Sequence, residues 1–567
     1  MKSRVSYLFI AIFICIGGYI GFRKITQTEY ISQGYAMENL ADEWKRTISY
    51  SVNNNGFSLY VDGVEINAKK HGIYMDTSMI LMIPYKEYRD LFNCAVNLYE
   101  DNRLMIEKAN VEIELKVDSN EIIVNGATYV LTTALSYKED VLYVPIDAAV
   151  RGLGYTCNWD INTNVATVIN DNPENSILPY QYSYVDKQRN ANVKSQGSLG
   201  TCWATAALTA LETSLMPEEK LDFSIDHMSL NNSFNLNQNE GGSSTMSTAY
   251  LLAWQGPVYE KDDPYGDGET NPDLKPVKHV QEVQMLESKD LQKIKEMVYK
   301  YGGVQSSLYT TMLNSYNYSK YYNEENYSYC YLGEEKPNHD IVIIGWDDSY
   351  PKEFFNADIE SDGAFICQNS WGTDFGNNGI FYVSYYDSNI GMHNIVYTKV
   401  DDADNYSGIY QSDLCGWVGR LGYEKEEAYF ANAYVARGAE FISAAGFYAT
   451  GVDTEYEIYV CPDFTNSNSL NGELIKVASG TFASEGYYTV DFDEIVQVES
   501  GQKFAVMVKI KTPNAKKPVA VEYVSDHFTE TVDITDGEGY VSADGKEWVN
   551  TEGSYSCNIC LKCYTQK

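Results

Sequence analysis

The stretch 193-VKSQGSLGTCWATAALTALE-212 joins a Gly-rich turn directly to an Ala-rich helical pattern. A cysteine, Cys202, sits at the junction, and a glutamine, Gln196, lies six residues before it. Trp203, Ala206, Ala207, Ala210, Leu211 and Leu215 recur at helical spacing and predict a helix with one apolar face. Cys202 then falls in the first turn, where backbone N–H groups lack partners and the helix dipole favours an anion. A thiolate is stabilised in such a place and is the better nucleophile. A small cysteine buried under a helix gives the same local pattern. This stretch alone leaves both readings open.

A thiolate needs a base, and the chain has six histidines. His339 stands in 336-KPNHDIVIIGWDD-348, immediately before an apolar strand pattern. Thirty residues on, 363-GAFICQNSWGTDFGNNGIFYVSYYD-387 reads as strand, Asn369-Ser370-Trp371, turn and strand. The pattern predicts neighbouring strands that bring His339 and Asn369 together. An asparagine oxygen can hold a ring N–H and fix the tautomer. Trp371 is placed to cover that bond.

Taken together, these segments resemble the papain family of cysteine peptidases over roughly residues 178–394. The stretches QGSLGTCW, NHDIVIIGWDD and QNSWGTDFGNNGIFYVSYYD match the family's Cys, His and Asn motifs. The segment 290-DLQKIKEMVYKYGGVQSSLY-309 resembles the helix and strand before the family's histidine, and 239-NEGGSSTMSTAYLL-252 resembles its glycine pair. The resemblance implies a two-lobed fold, a helical lobe plus a β lobe. It implies Cys202 as nucleophile, His339 as base, Asn369 as orienting group and Gln196 as oxyanion donor, with Gly241 and Gly242 binding substrate backbone. It implies no cofactor. Leu199 stands where animal and plant members carry a disulfide cysteine. Asp340 follows His339 where a small residue is usual, and its charge is expected to raise the imidazole pKa. Glu212 and His227 read as ordinary helix and turn residues. No long helical inhibitory prosegment is visible upstream.

Around this core the expected organisation is multidomain α+β. With 567 residues, two to four domains are the prior. The N-terminus, MKSRVSYLFIAIFICIGGYIGFRK, carries an uncharged run from Val5 to Phe22 between basic flanks. It reads as a signal-anchor or signal peptide over 1–28, which places the remainder on the extracellular face, membrane-anchored or secreted. A polar connector follows over 29–47. Residues 48–172 contain a repeat. LYVDGVEI and IIVNGATYV each carry a hairpin turn signal, at Asp62-Gly63 and Asn125-Gly126, and each is followed by a strand that ends at proline and enters a helical pattern. A last pair of short strands is expected in YTCNWDINTNVATVIN. This unit resembles the noncatalytic domain named after the N-terminus of copper amine oxidases, without histidines suited to copper, and reads as a stalk. The peptidase region is expected over 173–398.

The tail, 399–567, reads as evenly spaced short strands with turn signals at Asn471-Gly472 and Asp544-Gly545, which suggests a β-sandwich. It resembles the lectin-like domain that follows the peptidase in some bacterial surface enzymes, with glycan or cell-wall contact as the associated partner class. Cys557, Cys560 and Cys563 sit on a strand pattern that points them to alternate faces, against a metal cluster. The acidic loop EKDDPYGDGE could offer Asp262, Asp263 and Asp267 to a structural Ca²⁺, but lacks EF-hand spacing and reads as a solvated loop. A formal net charge of −37 argues against nucleic acid as a partner. Two function classes follow: a surface endopeptidase acting on protein or peptide substrates, and a catalytically silent adhesion or scaffold protein on the same fold.

Overall fold

The structure, a computed structural model, describes residues 56–160, 163–171, 178–312 and 319–567. The expected N-terminal anchor and connector lie outside these residues. No helix among the described residues is long and apolar enough to cross a membrane. The chain divides into two compact units, Met1–Pro179 and Tyr180–Lys567.

The first unit is built from the repeated hairpins. Ser58–Val61 pairs antiparallel with Val64–Ile66, and Glu121–Val124 with Ala127–Val130. At both turns the Asx and the Gly take positive φ, 49° and 83° at Asp62-Gly63, and 47° and 79° at Asn125-Gly126. That is the type I′ geometry which matches strand twist. The proline-ended strands Leu81–Pro84 and Val141–Pro145 pair with each other, so the two copies share a sheet. The first runs into an α-helix, Tyr85–Leu91, whereas the second enters a π-helical turn, Ala149–Leu153, stopped by Gly154 at φ 76°. The expected final pair forms as Tyr155–Asp160 with Val165–Asn170.

The second unit holds the papain-like region and the β-rich tail. Helix α1 (Cys202–Leu215) is buried on every face from Trp203 to Thr213, not along one stripe. Its composition explains this, because a helix of alanines and threonines can be approached closely from all sides. Around it lie α2 (Ile225–Leu230) and α3 (Ser244–Leu252) on one side. On the other is a sheet of β1 (Lys278–Leu286), β2 (Val304–Leu308), β3 (His339–Asp347), β4 (Ala364–Gln368), β5 (Ile380–Ser384) and β6 (Asn394–Asp402), in the order β5-β4-β3-β2-β6-β1. The amphipathic α4 (Leu291–Lys300) covers that sheet with Ile294, Met297 and Val298.

The tail is a sandwich. One sheet contains β7 (Glu427–Val435), β9 (Thr454–Cys461), β10 (Ile475–Phe482) and β12 (Lys503–Lys511); the other contains β8 (Glu440–Ala449), β11 (Glu485–Val498) and β13 (Leu561–Gln566). Phe430, Phe447, Tyr456, Phe482, Phe504 and Leu561 fill the space between them. The second sheet does not end at the tail. Strand β11 pairs antiparallel with β1, from Glu282 opposite Tyr488 to Met285 opposite Glu485, so one sheet runs through both regions.

Two further local expectations fail. Asn471-Gly472 is not a hairpin turn. Ser467–Asn471 forms a 3-10 turn capped by the Asn466 side chain, and Gly472 has an ordinary φ of −87°. The C-terminal strand pattern begins late, because Thr551–Tyr555 is a short helix capped by Asn550. Beyond it the cysteines do alternate. Cys557 and Cys563 enter the sandwich core, while the Cys560 thiol turns away to the Gly416 carbonyl at 3.3 Å.

Candidate active site

Cys202 is the first residue of α1, as its sequence position predicts. Backbone N–H groups of Asp340, Trp203 and Cys202 itself point at its sulfur. The sulfur therefore lies against the start of β3, where His339 is. Strand β3 pairs with β4, Val342 opposite Gln368, and that register delivers Asn369 beside His339. The Nε2 of His339 lies 2.8 Å from Asn369 Oδ1. Asn369 Oδ1 also accepts the Ser370 N–H at 2.8 Å, so the oxygen, not the amide nitrogen, faces the ring. The bond makes Nε2 the protonated nitrogen and leaves Nδ1 with a lone pair able to accept a proton. The Trp371 ring stacks on His339 with centroids 4.7 Å apart and is itself nearly buried.

Burial dominates the electrostatics. It pushes the Cys202 thiol up to about 12, with the Asp340 charge adding to the effect and the three N–H groups opposing it. It holds His339 below its ordinary value, against the opposing pull of Asn369 and Asp340. The sequence-based expectation of a thiol lowered by the helix and an imidazole raised by Asp340 is therefore reversed in net direction. Both favourable contributions exist, but loss of water outweighs them. Ionising one group alone places a net charge in the site. Moving the proton from Cys202 to His339 makes both ions together and adds none, so it is the ionisation that burial opposes least. Asp340 is half-buried and tied to Ser307 Oγ at 2.7 Å and Gln305 Nε2 at 3.0 Å. Burial raises its own pKa.

Gln196 is held from several directions. Its Nε2 donates to the Leu199 carbonyl at 2.7 Å, and its Oε1 accepts from Ser370 Oγ at 2.5 Å. Its backbone N–H donates to the Ser370 carbonyl at 2.8 Å, and its carbonyl accepts from Tyr265 Oη at 2.9 Å. Tyr265 Oη also pairs with Thr201 Oγ1 at 2.7 Å. The amide is thus oriented, with a second N–H left on Nε2. Gly241 has φ 78°, and Gly242 packs against Trp203 so closely that a Cβ would stand 2.5 Å from the indole. The glycine pair therefore borders the Cys202 turn, and Gly200 in turn meets Gly241 N.

Two readings need correction, and two residues must be added to the site. Glu212 is no ordinary helix residue. It is fully buried, paired with Lys194 at 3.0 Å, and accepts the Phe223 N–H at 2.8 Å. The acidic loop is not simply solvated. Asp263 is buried and its Oδ2 accepts from Thr270 Oγ1 and Asn271 N at 2.8 and 3.0 Å, while Tyr265 from the same loop supports Gln196. Among the described residues, no group of three or more His, Cys, Asp or Glu is placed to hold a metal ion. Ser370 and Tyr265 are the supporting residues that sequence reasoning missed. Ser370 carried a signal, being adjacent to Asn369; Tyr265 carried none.

Family models match in three blocks: the copper amine oxidase N-terminal domain over 60–168, the papain family cysteine protease over 178–400, and a lectin like domain over 409–565. Residues 178–400 form a papain-family cysteine protease domain. The papain-family domain is 25% identical over 232 residues to a cysteine protease of Blomia tropicalis, covering 39% of this chain and 65% of that protein. It is 28% identical over 218 residues to cathepsin L 2 of Paramecium tetraurelia, covering 37% and 62%. The chain spans between half and two thirds of the length of the first of these curated relatives. Among solved structures, the cysteine protease and lectin-like domains of Cwp84, a surface layer associated protein of Clostridium difficile, superpose with a TM-score of 0.60 at 26% identity, covering 68% of this chain and 89% of that one. A form of Cwp84 after propeptide cleavage gives 0.61 at 27%, covering 68% and 99%. The likeness thus joins papain-family domain and sandwich in one architecture.

Proposed function

We propose that this chain is an extracellular cysteine endopeptidase that hydrolyses peptide bonds in proteins through a thioester on Cys202. The observation that carries the reading is the His339–Asn369 bond of 2.8 Å under Trp371, at the point where the Cys202 sulfur meets β3. Cys202 gives its proton to Nδ1 of His339 and attacks the scissile carbonyl. The carbonyl oxygen becomes an oxyanion, held by the free Nε2 proton of Gln196 and the Cys202 backbone N–H. Collapse of the tetrahedral species breaks the C–N bond, and His339 protonates the leaving amine. Water, deprotonated by His339, then cleaves the thioester and restores the thiol. Asn369 keeps the imidazole in the productive tautomer throughout.

A silent scaffold would have no use for a histidine ring oriented by an asparagine at the start of the strand that the Cys202 sulfur meets. Domain limits at 48–172, 173–398 and 399–567 accompany the proposal. The apolar run Val5–Phe22 and the surface layer association of Cwp84 support a place outside the membrane. Protease added to intact cells should then reach the folded chain; full protection until lysis would contradict that placement. Glycan or cell-wall contact belongs to the sandwich in this reading. The decisive experiment incubates the full chain with an unfolded protein substrate and with an epoxysuccinyl inhibitor, then maps the modified residue by mass. Hydrolysis with label on Cys202 is expected. Retained hydrolysis in Cys202→Ala, or label on another cysteine, would overturn it.

A further inference from the structure

A cavity of about 440 Å³ opens beside the Gly241–Gly242 pair, and only one side of it belongs to the peptidase region. Gly241, Gly242 and Met246 form that side; Trp417 and Phe528, from the C-terminal region, form the other. The second wall is fixed in place. The sheet runs unbroken from β1 into β11, and Gly486 there sits so close that a Cβ would stand 2.1 Å from the Val283 carbonyl. Nearer the cavity, Asn235 N–H donates to the Phe528 carbonyl at 2.8 Å, and Asn235 Nδ2 donates to Glu530 Oε1 at 2.6 Å. Gly416 packs directly on Ala249 of α3, with room for no more than a strained Cβ at 3.2 Å. These contacts tie the segments that carry Trp417 and Phe528 to the peptidase region.

Resting on the peptidase reading, we propose that the C-terminal region is part of the substrate cleft, where it builds a pocket for a lysine or arginine side chain of the substrate. The side chain lies on the Gly241–Gly242 side of the scissile bond. Continuity with the nucleophile places it there: the glycine pair touches both Gly200 and Trp203, on either side of Cys202 in the chain. The chemistry of the lining selects the occupant. Met246, Trp417 and Phe528 offer apolar surface for a long methylene stem, and Glu240 and Asp526 supply carboxylates among the lining residues. Glu240 Oε2 is positioned by two hydrogen bonds from Asn237, at 3.0 and 2.6 Å, and Asp526 Oδ1 by the Phe528 N–H at 2.9 Å. Arg420, which lies over the Trp417 ring at 4.8 Å, has its own partner in Glu485 at 3.5 Å and does not line the cavity.

The test uses the full chain and peptides in which each position flanking the cleaved bond carries lysine, norleucine or glutamate in turn. Norleucine keeps the stem and removes the charge. One position on a single side of the bond should prefer lysine to norleucine. In the double variant Glu240→Gln/Asp526→Asn, the lysine-to-norleucine ratio of kcat/KM at that position should fall several-fold, as two exposed charge contacts permit. Both substitutions keep an oxygen for the Asn237 and Phe528 N–H bonds, so folding is preserved; iodoacetamide labelling of Cys202 checks it. Trp417→Leu should lower kcat/KM for both lysine and norleucine at that position alone. An unchanged ratio in the double variant, or a Trp417→Leu effect spread evenly over all positions, overturns the pocket. Failure of the wild type to cleave any peptide, with no label on Cys202, overturns the peptidase reading instead.

Discussion

His339 and His227 sit in one unit, both buried, and burial holds both below the ordinary histidine value. Their surroundings differ in one respect. His227, on α2, has its Nδ1 2.6 Å from Tyr250 Oη and its Nε2 3.2 Å from Asn231 Nδ2. Both ring nitrogens are occupied by neighbours of the fold, so the ring works as a strut. His339 has Nε2 fixed by Asn369, and among the described residues its Nδ1 takes no hydrogen bond. The contrast teaches that burial and a shifted pKa do not separate the two histidines; the orientation of the ring and the nitrogen left over do.

The largest effect that could break this contrast is on turnover. His339→Ala should lower kcat/KM by about 10⁴, the upper range for a lost general base. His227→Gln, which can still bond Tyr250, should leave kcat/KM within a few-fold when assayed well below the melting temperature. The rate of iodoacetamide reaction with Cys202 separates the roles further. Wild type and His227→Gln should react faster than His339→Ala throughout pH 5 to 8, since only they retain the internal proton acceptor. Equal rates in His339→Ala and wild type would place the base elsewhere and make His227 a candidate again.

Next in size is Gln196. Loss of one oxyanion donor costs about 10²–10³ in turnover, and Gln196→Ala should show it with little change in folding. Ser370→Ala should cost less, because it frees the Gln196 amide to rotate without removing it. Asn369→Ala should lie between wild type and His339→Ala, with Cys202 still alkylatable, because it releases the ring without removing the base. A Gln196→Ala enzyme with wild-type kcat would remove that side chain from the site.

The legible and illegible parts of the site divide by sequence distance. Cys202 was readable because the turn and helix that place it are local, and His339 and Asn369 because the strands that carry them are adjacent in both sequence and sheet. Type I′ turns at Asp62-Gly63 and Asn125-Gly126 are local also, and they form as read. The support of Gln196 was not readable, since Ser370 arrives from 174 residues away and Tyr265 from 69. The burial of Glu212 depends on Lys194 from the preceding loop and Phe223 from the following one. Asn471-Gly472 failed for a different reason: the Asn466 cap offered the chain a competing local structure. The net pKa directions failed because desolvation is a property of the whole packed surround, which no short motif contains.

The smallest effect concerns acid stability, where the two histidines should behave alike. Burial lowers the folded-state pKa of His227, His339 and also His279, whose ring stacks on Trp254 at 3.6 Å. In the unfolded chain each titrates near the ordinary value of 6.5. Between that value and the lower folded one, the unfolded chain binds more protons than the folded one. Stability from these groups is therefore fully present above about pH 6.5 and is lost as pH falls below it, by at most about 1.4 kcal/mol per pH unit for each histidine. The urea midpoint of the peptidase transition should be lower at pH 5.5 than at pH 7.5. Glutamine has no such titration, so His227→Gln should narrow that gap while leaving kcat/KM in its wild-type range. An unchanged gap would mean that His227 carries its proton in the folded state, and the reading of it as a neutral strut between Tyr250 and Asn231 would fail.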